Sequence, residues 1–222
     1  IDEADEVPVC KDNNVEYAQI EVANDGIAIV TNPALKMSCL TTDQLNQLWK
    51  KGSTVSDYNQ LGSGVPAGKV SLFGPGTDSG TFDFFTEEIN GEKGDTRTDY
   101  QPSEDDNVLV QGVQGDSTAL GYFGFSYYET NADKLNLVAV DGGDGCIKPS
   151  VETIQNGTYK PLSRTIYMYV NTASLADKPQ VKAFMDYVVA NADESAKTAQ
   201  IVPLTAEQLT TAKDDLSKAE GS

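Results

Sequence analysis

The stretch SLFGPGTDSGTFDFFTEEI, residues 71–89, decides the fold class. It opens with a short apolar run, continues as a loop of small and polar residues, and ends with apolar residues at helical spacing. This pattern predicts a strand, a turn and a helix of about ten residues. A turn of this kind aims free backbone N–H groups at one point, where the helix dipole adds about half a positive charge. The stretch therefore indicates an anion site.

Three residues of the loop suit this chemistry. Ser79 and Thr81 supply hydroxyl donors, and Gly80 lets an anion approach the backbone without a Cβ in the way. The residues alone leave a second interpretation open, in which Asp78 and Ser79 simply cap a helix that begins at Thr81. The loop lacks GxxxxGK[ST] and the spacing GxGxxG, which argues against nucleotide binding.

Composition excludes several other functions. The chain carries 16 Lys and Arg against 34 Asp and Glu, a formal net charge of −18. Such a surface repels nucleic acid, so we expect no nucleic-acid partner. A buried anion feels local dipoles more than distant, screened carboxylates, so the charge does not exclude an anion site. The absence of histidine rules out His-ligated zinc and His-dependent nucleophilic catalysis.

Strand and helix patterns alternate along the chain and predict an α/β fold with a parallel or mixed sheet. Two strand-like runs, 17–22 and 26–31, flank a turn predicted at 24–26. Thr41 or Thr42 caps a helix that packs Trp49 into the core. Further patterns predict a loop over 91–106, a helix capped by Asp105 or Asp106, a strand and turn over 118–129, strands over 135–142 and 164–171, and closing helices over 178–192 and 205–220.

GTDSGT followed by an aromatic-rich helix resembles the anion loop of the phosphate-binding proteins of bacterial ABC phosphate uptake. The resemblance extends over roughly residues 15–205, through the blocks CLTTDQLNQLWKKGSTVSDYNQL, TRTDYQPSEDDNVLVQGVQGD, ALGYFGFSYYE and PLSRTIYMYVN. It implies a two-lobed periplasmic-binding-protein fold that closes around one phosphate ion. It also implies a transport protein that is not an enzyme and needs no cofactor or metal.

The resemblance implies a ligand set as well. The family's Ser-Gly-Thr triplet falls on Ser79, Gly80 and Thr81, which would contact the oxyanion. Many members carry an arginine four residues before that serine, where this chain has Pro75. A subgroup places the arginine in a later loop, and Arg97 is its counterpart here.

Arg97 also has a structural interpretation, as an exposed loop arginine that pairs with Asp95 or Asp99. The family's early ligand-bearing segments, a Gly-Ser-Ser/Thr loop and a Ser-Asp-x-Ser-Arg-Pro stretch, have no counterpart in the chain. The resemblance therefore implies that about a third of the expected mature protein precedes this sequence on its N-terminal side. Asp78 is the nearest substitute for the acidic ligand of that missing stretch.

The resemblance divides the chain into residues 1–24 and 163–222, part of a first lobe, and residues 25–162, a complete second lobe. The three cysteines predict one pair and one orphan in an extracellular protein. With the family in view, we expect Cys39 to pair with Cys146 and Cys10 to bond a cysteine upstream. The expected location is extracytoplasmic, whether periplasmic, secreted or on a lipoprotein, with a membrane permease as partner.

Two other functions compete with phosphate capture. A phosphatase would use Ser79 as nucleophile, but no residue nearby looks like its base, and SEDDN, residues 103–107, is a weak candidate cation site. The other alternative is a fragment that binds no small molecule and serves as a protein-interaction module.

Overall fold

Helices and strands alternate along the chain, as a computed structural model shows for Ala4 and residues 6–221. The strands are β1 Tyr17–Thr31, β2 Cys39–Thr41, β3 Ser71–Gly74, β4 Gln101–Pro102, β5 Ala119–Gly124, β6 Asn136–Asp141, β7 Cys146–Ile147 and β8 Ser163–Asn171. The helices are α1 Glu6–Asp12, α2 Thr42–Trp49, α3 Gly80–Asn90, α4 Asp106–Gly115, α5 Phe125–Glu129, α6 Val151–Gln155, α7 Thr172–Asp177, α8 Pro179–Ala190, α9 Ala192–Thr198 and α10 Ala206–Glu220. The predicted α/β class is confirmed.

The sheet is mixed. Its strand order is β2-β6-β1-β5-β3-β4, with β7 paired to β6 and β8 paired to β1. The C-terminal part of β1 runs antiparallel to β5 and β6, whereas β3 runs parallel to β5 and β4. Because β3 and β4 are parallel neighbours, the loops that follow them leave the same edge of the sheet. That edge is where α/β sheets usually bind their ligands.

By internal contacts the chain forms two compact units. The first unit comprises the residues up to 24 and from 165 onward, and the second unit comprises Asp25–Arg164. The chain passes between them twice, within β1 and within β8. The assignment of these units to the lobes of a longer binding protein stays a prediction.

The first unit has its own apolar core, built where β1 and β8 meet the closing helices. The buried residues of this core are Ile20, Val170, Leu175, Met185, Val189, Ala212, Leu216 and Ala219. Helices α8 and α10 confirm the two closing helices expected from the sequence. The short helices α7 and α9 were not predicted.

An aromatic cluster, Trp49, Phe85, Tyr100 and Tyr122, lies at the centre of the second unit. Trp49 is fully buried, as the helical spacing of its segment predicts. Its ring meets those of Phe85, Tyr100 and Tyr122 edge-on, with centroids 5.6, 5.6 and 4.9 Å away. Tyr122 lies against Gly74, where an added Cβ would come within 2.9 Å of its ring. The cluster therefore packs against the last residue of β3, where the predicted anion loop begins.

The prediction of a turn within Asn24-Asp25-Gly26 was wrong, because β1 runs unbroken through these residues. The backbone N–H and C=O of Asn24 both bond to Val202 and hold that residue extended. Gly26 leaves room for the side chain of Ile154, because an added Cβ would lie 2.5 Å from it. Long-range partners override the local turn signal.

Three smaller differences concern the second unit. The loop predicted over 91–106 contains the short strand β4, which pairs with the end of β3. The turn predicted after β5 is the helix α5. The helix expected to begin at Thr81 begins one residue earlier, at Gly80.

The pairing of Cys39 with Cys146 is confirmed as a disulfide between β2 and β7. Both strands pair with β6, so the bond joins segments on either side of one strand. Cys10 is free and partly exposed in the described structure. Within the described residues, no helix is both long and apolar enough to cross a membrane.

Candidate anion-binding site

The loop between β3 and α3, residues 75–79, is held from two sides. Tyr100 donates its hydroxyl to the Pro75 carbonyl at 2.9 Å. On the other side, the backbone N–H of Asp78 donates to Glu104 Oε1 at 3.3 Å. Glu104 follows β4, so the two neighbouring loops at this sheet edge are in direct contact. The loop is fixed before any ligand arrives.

Ser79 caps α3. Its Oγ accepts the backbone N–H groups of Thr81 and Phe82 at 3.2 and 3.4 Å. This agrees with the capping interpretation for Ser79, while Asp78 is exposed and supplies no cap. Capping uses the lone pairs of the Ser79 oxygen and leaves its hydroxyl proton free to be donated. Capping and anion contact are thus compatible at this residue.

The first turn of α3 retains donors that the protein does not use. Within residues 6–221, the N–H of Gly80 and the hydroxyl of Thr81 donate to no protein acceptor. Gly80 is exposed and Thr81 is partly exposed, so both donors are accessible. An unused N–H at the positive end of a helix favours an anion.

Arg97 lies elsewhere in the second unit. Its Nη1 donates to the carbonyls of Leu48 and Val55 at 3.0 and 3.1 Å, and its Nη2 donates to Asp99 at 2.8 Å. Arg97 pairs with Asp99, as the structural interpretation expected, but it is buried rather than exposed. Its hydrogen bond lowers the pKa of the Asp99 carboxyl. None of these partners belongs to the 75–79 loop.

Arg164, which no sequence pattern placed in the site, lies beside the first turn of α3. Its Nη2 donates to the Gly80 carbonyl at 3.4 Å. The same nitrogen pairs with Asp25 at 3.3 Å, and the guanidinium carbon lies 4.2 Å from the centre of the Phe84 ring. One signal could have found it: the chain has only two arginines, and this one lies in the quoted block PLSRTIYMYVN.

Three consecutive carboxylates follow β4, and the first of them, Glu104, accepts the backbone N–H of Asp78. Glu104, Asp105 and Asp106 lead into α4, and Asp105 caps that helix through the backbone N–H of Asn107. Burial, together with the charges of Asp105 and Glu104, raises the pKa of Asp106 to about 6. Among the described residues, no group of three Cys, Asp or Glu side chains is arranged to hold a metal ion.

The mixed sheet, the strand–loop–helix unit and its unused donors are those of an α/β solute-binding domain. The PBP superfamily domain matches residues 2–192, and the chain belongs to that superfamily. The match covers most of the chain and both units.

The chain is similar to named proteins over almost its whole length. The chain is 40% identical to Protein SphX of Synechocystis over 97% of its length and 65% of the relative. It is 34% identical to the phosphate-binding protein PstS of Staphylococcus saprophyticus, over 95% of this chain and 65% of that protein. It thus spans slightly less than two thirds of both relatives.

A solved structure is similar along almost the whole chain. The crystal structure of a possible phosphate binding protein from Planctomyces limnophilus is 36% identical, with a TM-score of 0.88. The match covers 99% of this chain and 78% of that one. The fold class inferred from the sequence agrees with this likeness.

Proposed function

We propose that this chain is part of an extracytoplasmic solute-binding protein that captures inorganic phosphate for an ABC importer. The observation that carries the proposal is the first turn of α3, where the unused Gly80 N–H lies between two hydroxyl residues, Ser79 and Thr81. The names of the relatives favour phosphate among the oxyanions that such a turn accepts.

Each residue of the turn has a role in this proposal. Gly80 donates its backbone N–H to a phosphate oxygen, and Ser79 and Thr81 donate their hydroxyl protons. Asp78, exposed at the rim, accepts a hydrogen bond from a protonated phosphate oxygen, which a fully ionised sulfate cannot offer. Binding is non-covalent, and no bond is made or broken.

The disulfide and the similar proteins support a location outside the cytoplasm. A disulfide between Cys39 and Cys146 persists in oxidising compartments, which supports a location outside the cytoplasm. The two units correspond to the lobes of such a protein, and the permease of an importer receives the phosphate. A periplasmic, lipid-anchored or secreted form would each satisfy this proposal.

Calorimetric titration of the 222-residue chain tests the proposal, after unfolding and refolding to remove bound phosphate. We expect saturable one-to-one binding of phosphate that sulfate does not match. Thr81→Val keeps the shape of the side chain and removes one hydroxyl, so phosphate affinity should fall about tenfold. Thr210→Val, an exposed threonine of α10, is the matched control and should bind like the parent.

The titration has a clear contrary outcome. If the parent chain binds neither anion, phosphate capture by these 222 residues is wrong. If Thr81→Val binds as tightly as the parent and Thr210→Val, the ion binds away from the first turn of α3. Circular dichroism of each variant checks that the fold is retained.

A further inference from the structure

We infer that Arg164, and not Arg97, supplies the guanidinium that contacts the bound oxyanion, an inference that rests on the phosphate site proposed above. The chain contains only these two arginines. Arginine offers five N–H donors in a planar fork that suits phosphate. The choice between the two therefore depends on which guanidinium has donors to spare and lies near the α3 N-terminus.

Arg97 has no nitrogen to spare. Its Nε and Nη2 are engaged by Asp99, and its Nη1 by two backbone carbonyls. The side chain is only 8% exposed. If Arg97 turned toward an ion, the buried Leu48 carbonyl and the partly buried Val55 carbonyl would lose their donor, which is costly. Arg97 is a structural residue that ties the end of α2 to the following loops.

Arg164, in contrast, has guanidinium nitrogens to spare. Its contacts with Asp25 and with the Gly80 carbonyl both use Nη2. Its Nε and Nη1 have no protein acceptor in the part of the chain that the structure describes. The side chain is 38% exposed, so these donors can be reached from solvent. They remain available to an anion.

The position of Arg164 matches the proposed site. Its Nη2 lies 3.9 Å from the point where a Cβ on Gly80 would be, which places the guanidinium against the first turn of α3. An ion bound to the Gly80 N–H and the neighbouring hydroxyls would thus lie within the reach of an arginine fork.

Arg164 is also fixed in place before an ion arrives. The guanidinium lies 4.2 Å from the centre of the Phe84 ring, and its partner Asp25 is only 13% exposed. Phe84 follows Gly80 by four residues and so lies on the same face of α3. Asp25 and Glu88, which both interact electrostatically with Arg164, offset part of the arginine's charge. Arg164 therefore contributes directed hydrogen bonds to the anion more than a net electrostatic attraction. Directed bonds suit the recognition of one oxyanion by so acidic a chain.

Because there are two arginines, NMR can separate them directly. In the ¹⁵N-labelled 222-residue chain the Nε–Hε region holds two signals, which Arg164→Lys and Arg97→Lys assign. We expect titration with inorganic phosphate to shift the Arg164 signal in a saturable way and to leave the Arg97 signal in place. The midpoint should match the calorimetric dissociation constant.

Affinity gives the second measurement. Lysine keeps the charge but loses the fork, so Arg164→Lys should weaken phosphate binding at least tenfold. Arg97→Lys is the matched substitution and should leave affinity unchanged in the folded protein. A phosphate affinity of Arg164→Lys equal to the parent's, or a shift of the Arg97 signal alone, overturns the inference while the proposed function stands. A parent chain that binds no phosphate overturns both.

Discussion

The rings of Tyr122 and Phe85 stack with their centroids 3.8 Å apart and their planes 14° from parallel. Tyr122 is fully buried, yet its hydroxyl has no hydrogen-bond partner among the described residues. Burial raises the pKa of Tyr122 well above its ordinary value, so the phenol stays neutral. The second unit thus holds an unsatisfied polar group in its aromatic centre, beside the start of the anion loop.

Removal of that hydroxyl should stabilise the protein. Tyr122→Phe keeps the stacked ring and deletes an unpaired buried oxygen, so we expect the free energy of unfolding to rise by about 1 kcal/mol. Tyr159→Phe is the matched control, because Tyr159 is equally buried but donates to the Ile27 carbonyl at 2.8 Å. That variant should lose about 1 kcal/mol. Urea denaturation of both variants measures the difference; a loss in Tyr122→Phe would show that its hydroxyl has a partner.

Local sequence patterns were sufficient to predict the anion loop together with the strand before it and the helix after it. The apolar run, the glycines and the Ser79 cap lie within one short stretch, so the local chemistry and the fold agree there. Local patterns failed at Asn24, where backbone hydrogen bonds to Val202, far along the chain, override the turn signal.

The arginine near the loop could not be found locally either. Arg164 is 84 residues from Gly80 in sequence, and the tertiary fold brings the two residues together. Family resemblance drew attention to Arg97 because a subgroup of the family places its arginine in the later loop that contains this residue. Whether an arginine has spare donors depends on its three-dimensional partners, which neither periodicity nor spacing reports.

The two arginines should differ sharply in stability. Arg97→Lys leaves the buried Leu48 carbonyl and the partly buried Val55 carbonyl without the planar donor that satisfied both, so the free energy of unfolding should fall by about 2 kcal/mol. Arg164→Lys affects a partly exposed ion pair and should cost less than about 1 kcal/mol. Urea denaturation at neutral pH measures both. Equal losses would contradict the structural role assigned to Arg97.

The disulfide should be a large contributor to stability. Cys39 and Cys146 are separated by 107 residues in sequence, and a crosslink that closes so long a loop restricts the unfolded chain strongly. The double variant Cys39→Ala, Cys146→Ala should lose about 2–5 kcal/mol. Cys10→Ala is the control and should change little, because Cys10 is free and partly exposed. Reductant should destabilise the parent and leave the double variant unaffected; an equal effect on both would contradict the prediction.

Asp106 should make stability depend on pH. Its pKa is raised to about 6 in the folded protein, first by burial and then by the charges of Asp105 and Glu104. An unfolded aspartate titrates near 4, so between about pH 4 and 6 the folded protein binds more protons than the unfolded chain. The free energy of unfolding therefore falls as pH rises through this window, and the penalty is complete above it.

Asp106→Asn removes that penalty. Because the side chain is only partly buried, we expect a gain of about 1 kcal/mol at pH 7.5, less than the full shift implies. At pH 4 the carboxyl is protonated in the parent, so the variant should gain nothing there. Asp78→Asn, an exposed carboxylate of the anion loop, is the control and should stay within about 0.5 kcal/mol of the parent. Urea denaturation from pH 4 to 7.5 tests this prediction. An equal gain in the free energy of unfolding at pH 4 and at pH 7.5 would contradict it, because such a gain would arise from packing and not from charge.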